Sequence, residues 1–424
     1  MTFGNLPMRR TIPIAAIFAR LLPAALLAGS AMPAHAQYAV SDSGDTSWLL
    51  VSAIVTLIAA IPGMALFVAG KVRPGQAGPY AAQVLGIVAG VSTIFAVIGY
   101  SIAFAAGDGW LGGAGNLMLG NLGELREGLT VPESAFVLMQ MSAALLAAVI
   151  LSGALAERVR FGWLMLFAPL WSLVAYAPLA RWLWNNGILA AQGAADLSGG
   201  LVIAVSAGTS ALVAAALLGR RDEQGAGTPV LSLAGAGMIW IGWLALTGGL
   251  SASATDGTAA AIINAHLSAA AGVIGWGVAQ RILGGQPRTT KLADGALAGL
   301  AASGVSAALV GPGGALTIGL FGGAIAFLLH LLVERRLGID DVGGVGAIFL
   351  GGGATGALLS VPFTATALGG VGLAEGASAA GFAKAQVIAL AATIGWSGIV
   401  TAILALGISL VMPLRAVPAA EPQG

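Results

Sequence analysis

The residues best able to act on a solute stand at the edges of long apolar runs. Asp196 lies in AADLSGGLVIAVSAG (194–208), followed by Ser198, Gly199 and Gly200, with Ala204 eight residues on. An acid at the mouth of an apolar helix is costly. It therefore either stabilises an arriving cation or accepts hydrogen bonds from helix-end amides and fixes the segment. Read as helix from Asp196 onward, the spacing puts Ala204 two turns on and on much the same face. Trp184, in RWLWNNG, can hold a cation on its indole face, at about 0.5–2 kcal/mol, or belong to an interfacial belt. Arg181 close by would repel the same cation. Asp340-Asp341, after Arg335-Arg336, reads as capping and local ion pairing. Glu157-Arg158 in GALAERVRF reads as a turn held by charge-assisted hydrogen bonds. His266 and His330 each stand alone in an apolar helix at different depths, which suits packed side chains better than a proton relay.

Other chemistries are excluded by what the chain lacks. It has no cysteine, so disulfides, thiolate metal sites and thiol nucleophiles are ruled out. A net charge of +1 leaves no basic nucleic-acid footprint. No nucleophile–base pair, metal cluster or cofactor loop stands out, so neither an enzyme nor a bound cofactor is expected. The glycine clusters Gly343-Gly344-Val345-Gly346 and Gly351-Gly352-Gly353 have no preceding strand and no following lysine, so they are packing surfaces and not phosphate cradles.

The elements that must position these residues are membrane helices. The chain is 58% hydrophobic and 8% charged, where a soluble domain runs near a quarter charged. From Asp45 onward eleven apolar runs of about membrane length follow one another, near 47–70, 80–106, 133–156, 160–183, 196–218, 229–251, 258–283, 292–311, 315–335, 343–362 and 384–412. The fold class is therefore all-α integral membrane. Sixty-five glycines without a repeat period point to close helix packing in lipid.

Lys71, Arg73, Arg158, Arg160, Arg220, Arg221, Arg281, Arg288, Lys291, Arg335, Arg336 and Arg415 fall on one side of this pattern, and only Arg126, Arg181 and Lys384 on the other. The positive-inside rule then gives an outside N-terminus and a cytoplasmic C-terminus. Arg9 and Arg10 ahead of an apolar run, with Ala34-His35-Ala36 before Gln37, look like a signal peptide. Arg20 interrupts the run, and a start at Met8 would give better proportions; an uncleaved first helix is the alternative. The expected organisation is a signal peptide over 1–36, one membrane domain over 37–414 and a short cytoplasmic tail over 415–424. The Gly-rich stretch 107–132 reads as a periplasmic loop. The fifth run begins at Asp196 and the tenth just after Asp340-Asp341, a faint echo of an inverted five-helix repeat with one helix left over.

The stretches DTSWLLVSAIVTLIAAIPGMALFVAGKVR, SGALAERVRF, ADLSGG, IGWLALTGG, ALGGVGLAEG and ATIGWSGIV, in this order, resemble the ammonium transporter (Amt/Mep/Rh) family from Asp45 to about Leu414. The resemblance implies an inner-membrane homotrimer, each protomer with a narrow apolar pore between two five-helix halves. It carries the family's outer-mouth tryptophan onto Trp184, the nearby aspartate onto Asp196 and the sixth-span tryptophan onto Trp243. The two gating phenylalanines fall on Ala143, in MQMSAA, and on Leu246. The recruitment-site serine falls on Leu250, with Ser251 one residue late. The two pore histidines fall on Ala204 and Gly346, the latter with a short gap after Asp341. No histidine lies between His35 and His266 or after His330, so the loss of both rings does not depend on that gap.

The implied consequence is physical. The family's imidazoles supply the polar atoms of an otherwise dry tunnel and pass a proton. With a methyl and a hydrogen in their place, the tunnel is wider and less polar unless neighbouring helices close into it. A bare ion would then lose hydration at a cost of several kcal/mol. Two functions follow as expectations. One is ammonium/ammonia transport through an altered pore. The other is a relative that passes another small solute or serves as a non-conducting scaffold or sensor. PII-type regulators in the family meet a longer cytoplasmic tail than the residues after Arg415 supply, so that partner is a weak expectation.

Overall fold

The structure is a computed structural model that describes residues 41–221, 227–283 and 291–416. The segment read as a signal peptide and the tail beyond Ala416 lie outside these residues. Among the described residues, ten helices are long and apolar enough to cross a membrane: α1 Ser43–Ala69, α2 Ala77–Phe104, α3 Glu133–Gly153, α4 Phe161–Trp184, α5 Gly200–Leu218, α6 Pro229–Gly249, α7 Asp256–Leu283, α9 Pro312–Leu337, α10 Val342–Phe363 and α11 Ala379–Ser409. An eleventh, shorter apolar helix, α8, spans Leu292–Ser306. In lipid every backbone amide and carbonyl must be satisfied within its own segment, which is why these apolar runs fold as helices. Asp42 caps α1 by accepting from the Asp45 amide, Ser378 caps α11 by accepting from that of Gly381, and Pro229 and Pro312 occupy first-turn positions that need no donor.

One boundary departs from the sequence reading. Asp196 does not open α5. The helix starts at Gly200, after Gly199 in the left-handed region at φ 82°, and its turns through Val205 are the wide π type. Asp196 thus stands ahead of the helix, and the common helical face drawn from Asp196 to Ala204 does not exist. The short glycine-rich segment wins over helix continuation because Gly199 tolerates the left-handed turn that a side chain resists.

The two halves pack as inverted copies. Along α1 and α6, Trp48 Nε1 donates to Gly248 O at 3.0 Å, Ala59 lies against Gly242, and Ser232 Oγ donates to Phe67 O at 2.8 Å. Along α5 and α10, Gly200 lies against Gly353 and Gly208 against Gly346 and Leu350. In both pairs rising numbers in one helix meet falling numbers in the other, so corresponding helices of α1–α5 and α6–α10 run antiparallel. The α5–α10 contact is nearly backbone to backbone. A Cβ on Gly208 would sit 2.5 Å from Leu350 N, and one on Gly353 2.7 Å from Gly200 O. Outside both halves, α11 joins α4 through Trp396 Nε1, which donates to Val174 O at 3.1 Å. Ile54, Leu85 and Ile403, each more than half exposed, give the outer surface a lipid-facing character.

Candidate functional site

At one end, a cavity of about 380 Å³ opens among α3, α4, the segment before α5, and the end of α6. Asp196, Trp184 and Leu250 share its wall together with Gln140, Phe136 and Ser251. Asp196 is buried at 3% exposure. Its Oδ2 accepts from the Val202 amide at 2.8 Å, fixing the wide first turns of α5, while Oδ1 has no hydrogen-bond partner. The capping reading of this acid is met by Oδ2. Trp184 Nε1 donates to Asp196 O at 2.7 Å, so the indole is clamped to the same segment. Gln140 is buried, and its Oε1 likewise has no partner. The sequence held a cue to Gln140, which precedes Ala143 by three residues in MQMSAA, but gave no sign that its oxygen would be left bare.

The Arg181 guanidinium does not line this cavity. It donates to Asp108 O and Ala105 O and closes the loop after α2. The cation on this cavity's rim is Arg126, which is tied to Asn185 Oδ1 at 2.8 Å and paired with Glu133 at 3.3 Å. The Ser251 hydroxyl lies one residue past Leu250 and donates to Gly248 O at 2.6 Å, so it is engaged by the end of α6.

Toward the centre the space is filled. Ala143, Ala204, Trp243 and Leu246 are all 0% exposed, and Gly346 is buried. The Trp243 ring stacks on Phe349 with centroids 5.9 Å apart and planes at 26°. A Cβ on Gly346 would lie 2.7 Å from both Cγ and Cδ2 of Leu212. Neighbouring side chains close in around Ala204 and Gly346. Phe349, one helical turn after Gly346, and Leu212, two turns after Ala204, do the filling. Neither stood out in the sequence, because apolar side chains in apolar helices carry no local mark of which face they take. The buried Trp243 Nε1 has no partner.

At the other end lies a cavity of about 430 Å³ lined by Lys71, Asp294, His330, Asp341 and Gly343 among others. Asp341 accepts from the amides of Gly346 at 3.0 Å and Ala347 at 2.9 Å, capping α10 much as Asp196 caps α5. Asp340 is held by Arg221 through two 2.9 Å bonds and lies 3.5 Å from Arg158. Burial alone would raise the Asp340 carboxyl, but the Arg221 hydrogen bonds and charge outweigh it and hold it below the ordinary carboxylate range. Glu157 joins the cluster through Arg221 at 3.3 Å, and Arg158 Nη2 donates to Ala154 O and Asp340 O. These acids and arginines therefore have the capping and turn-holding roles their sequence context suggested.

His330 is buried beside Trp276 and 3.5 Å from Lys291 Nζ, and His266 is exposed against Trp240, so the two do not meet. Lys71 is more than a loop charge. Its Nζ bonds Asp294 Oδ1 at 2.5 Å and Gly343 O at 2.7 Å, and lies 4.0 Å from the centre of the Phe67 ring. Asp294, a lone acid in LADGALAGL, went unremarked in the sequence.

Two inverted five-helix halves, a lone outer helix and cavities at both ends of the α5–α10 contact define a polytopic transporter or channel fold. The model of the Ammonium Transporter Family matches residues 47–424. An ammonium transporter of Bacillus subtilis (strain 168) is 35% identical over 391 residues, spanning 90% of this chain and 96% of its own length. One from Aquifex aeolicus (strain VF5) is 32% identical over 390 residues, covering 90% and 91%. The crystal structure of Saccharomyces cerevisiae Mep2 superposes with a TM-score of 0.80 at 26% identity, over 91% of this chain and 90% of that one. The chain belongs to the ammonium transporter family.

Proposed function

We propose that this chain takes up ammonium at the Asp196 cavity and passes it slowly across the membrane as neutral ammonia, through a middle that has no imidazole. The observation carrying this reading is a cavity walled by Asp196, Gln140 and the Trp184 indole, in which the Asp196 carboxylate keeps one buried oxygen without a hydrogen-bond partner. A buried acceptor left unpaired costs about 1–3 kcal/mol, and a small cation rich in N–H donors relieves that cost while the indole face adds to the attraction. The curated relatives are ammonium transporters, which supports the same substrate.

Beyond the cavity, a charged ion would meet methyl, isobutyl and aromatic surface at Ala143, Ala204, Leu246 and Phe349. It would lose several kcal/mol of hydration without replacement, whereas the neutral form escapes most of that cost. No ring stands at Ala204 or Gly346 to carry a proton, so the ammonium N–H bond breaks at the entrance and the proton goes to water on the outer side. Passage then waits on side-chain movement of Leu212 and Phe349. On the positive-inside count, the Asp196 cavity faces outward and the Lys71 cavity faces the cytoplasm of an inner membrane. Homotrimer formation would cover part of the exposed apolar surface. The described chain offers a PII-type regulator only the short stretch at Arg415, which pairs with Val159.

The test is an ammonium pulse on purified protein in liposomes carrying an internal pH dye. Flux above protein-free vesicles, but well below that of the Bacillus subtilis relative, is the expected result. Flux equal to protein-free vesicles would falsify conduction. A second reading, a receptor or scaffold that binds ammonium without conducting it, is favoured by one observation: Ala204, Trp243, Leu246 and Phe349 are 0% exposed. It predicts retained ammonium binding with no flux.

A further inference from the structure

The bonding of Lys71 goes beyond an ordinary ion pair. Its ammonium group has an acid on α8 on one side, a backbone carbonyl at the start of α10 on another, and an aromatic face on α1 on a third. Three helices drawn from both halves thus converge on a single –NH3+ group. Carboxylate, carbonyl and ring face are the groups that recognise a small donor-rich cation, and three donors on one nitrogen match them. The side chains of Lys71 and Asp294 are 13% and 2% exposed, so the group is enclosed but borders the cavity.

The other charges around it leave this assignment intact. Asp341 is spent on the amides of Gly346 and Ala347, and Lys291 reaches toward His330 Nε2 at 3.5 Å. Gly343 and Gly344 both lie in the left-handed region at φ 72°, a backbone shape that turns the Gly343 carbonyl toward the cavity without a side-chain penalty.

We propose that the Lys71 end carries a second ammonium site, built from the Asp294 carboxylate, the Gly343 carbonyl and the face of Phe67, and that the Lys71 side chain occupies it as a tethered stand-in for the free ion. This rests on reading the chain as an ammonium handler. A tethered group has an effective concentration in the millimolar range, so free ammonium competes poorly and the site stays closed from within. Removing the tether exposes the buried acid and creates demand for a replacement cation of the same chemistry.

The experiment uses the full chain in detergent. The thermal unfolding midpoint is followed for the parent, Lys71→Ala and Lys71→Ala/Asp294→Ala in methylammonium, sodium or tetramethylammonium chloride at equal ionic strength. Binding at the Asp196 cavity is common to all three proteins and cancels in the comparison. Lys71→Ala should gain a saturable methylammonium stabilisation, with half-saturation at least about tenfold below any seen in the parent. Tetramethylammonium, which has no N–H donor, should not produce it, and the double variant should lose it. An equal response to all three salts, or a response that survives loss of Asp294, overturns the proposal. If Lys71→Ala does not fold in sodium, recovery of folded protein only when methylammonium is present throughout purification supports the site, and failure in every salt overturns it. Because no flux is measured, a negative result here leaves conduction standing, and absent conduction leaves this site standing.

Discussion

The two ends of the molecule are built from similar materials and left in opposite states. At one, Asp196, Gln140 and Trp184 line a cavity, and one buried oxygen each of Asp196 and Gln140 has no hydrogen-bond partner. At the other, Asp294, Gly343 O and Phe67 surround an ammonium group that the chain itself supplies. Both places hold a buried acid beside an aromatic ring. The difference lies in bonding capacity left over: Asp294 is spent on a cation the chain supplies, whereas Asp196 keeps one oxygen unpaired. A satisfied carboxylate holds the fold together, whereas a half-satisfied one can still do work on a ligand.

The most disruptive change removes the partition between the ends. Gly208→Val places a Cβ 2.5 Å from Leu350 N and 2.9 Å from Gly346 O, atoms that cannot rotate away. It should cost about 3 kcal/mol or more and sharply lower the yield of folded protein. A variant that melts like the parent would show that the ends are not held apart by this contact. Next is Arg221→Ala, which strips Asp340 and Glu157 of a shared partner. Breaking a buried pair of this kind costs about 3 kcal/mol, seen as a lower unfolding midpoint at neutral pH with ammonium binding at the Asp196 end intact.

The same pair sets a pH dependence. The folded pKa of Asp340 is depressed, so its contribution is complete above the unfolded value of about 3.9 and is lost as pH falls through the folded value. The stability deficit of Arg221→Ala relative to the parent should therefore be constant from neutral pH down to the unfolded value and shrink below it. A deficit that grows under acid would assign the effect to another group.

At the open end, Asp196→Ala removes both the cap on Val202 and the bare oxygen. It should cost about 1–2 kcal/mol and abolish methylammonium binding there, whereas Asp196→Asn keeps an acceptor for the cap and loses only the charge. Isothermal titration that finds binding unchanged in Asp196→Asn would mean the cation is held by Gln140 and the indole alone. The smallest effect is expected from Trp184→Phe, which keeps a ring but deletes the bond to Asp196 O. About 1 kcal/mol of stability and a few-fold weaker binding should follow. A much larger loss of binding would make the indole, and not Asp196, the main group holding the ion.

The filled middle gives the comparison its sharpest consequence. Placing histidines at Ala204 and Gly346 is the natural attempt to restore a polar passage, yet Leu212 stands 2.7 Å from the new Cβ at Gly346. Flux in liposomes should stay at the parent level in Ala204→His/Gly346→His and rise only when Leu212→Ala and Phe349→Ala are added. A rise in the double variant alone would mean that Leu212 yields freely.

The amino-acid sequence by itself determined the membrane class and the order of the apolar helices. Each follows from local facts: runs long enough to cross about 30 Å of hydrocarbon and charges that cannot be left inside it. Asp196 and Trp184 were legible for the same reason, as polar residues at the ends of apolar segments. What only the tertiary structure decided is which side chains fill the middle. Leu212 and Phe349 enter it because of how α5, α6 and α10 cross, and Lys71 finds Asp294 across 223 positions of chain. Helix rotation and crossing are set by the sum of many weak packing contacts between distant segments, so no single stretch encodes which apolar face turns inward or which cation meets which acid.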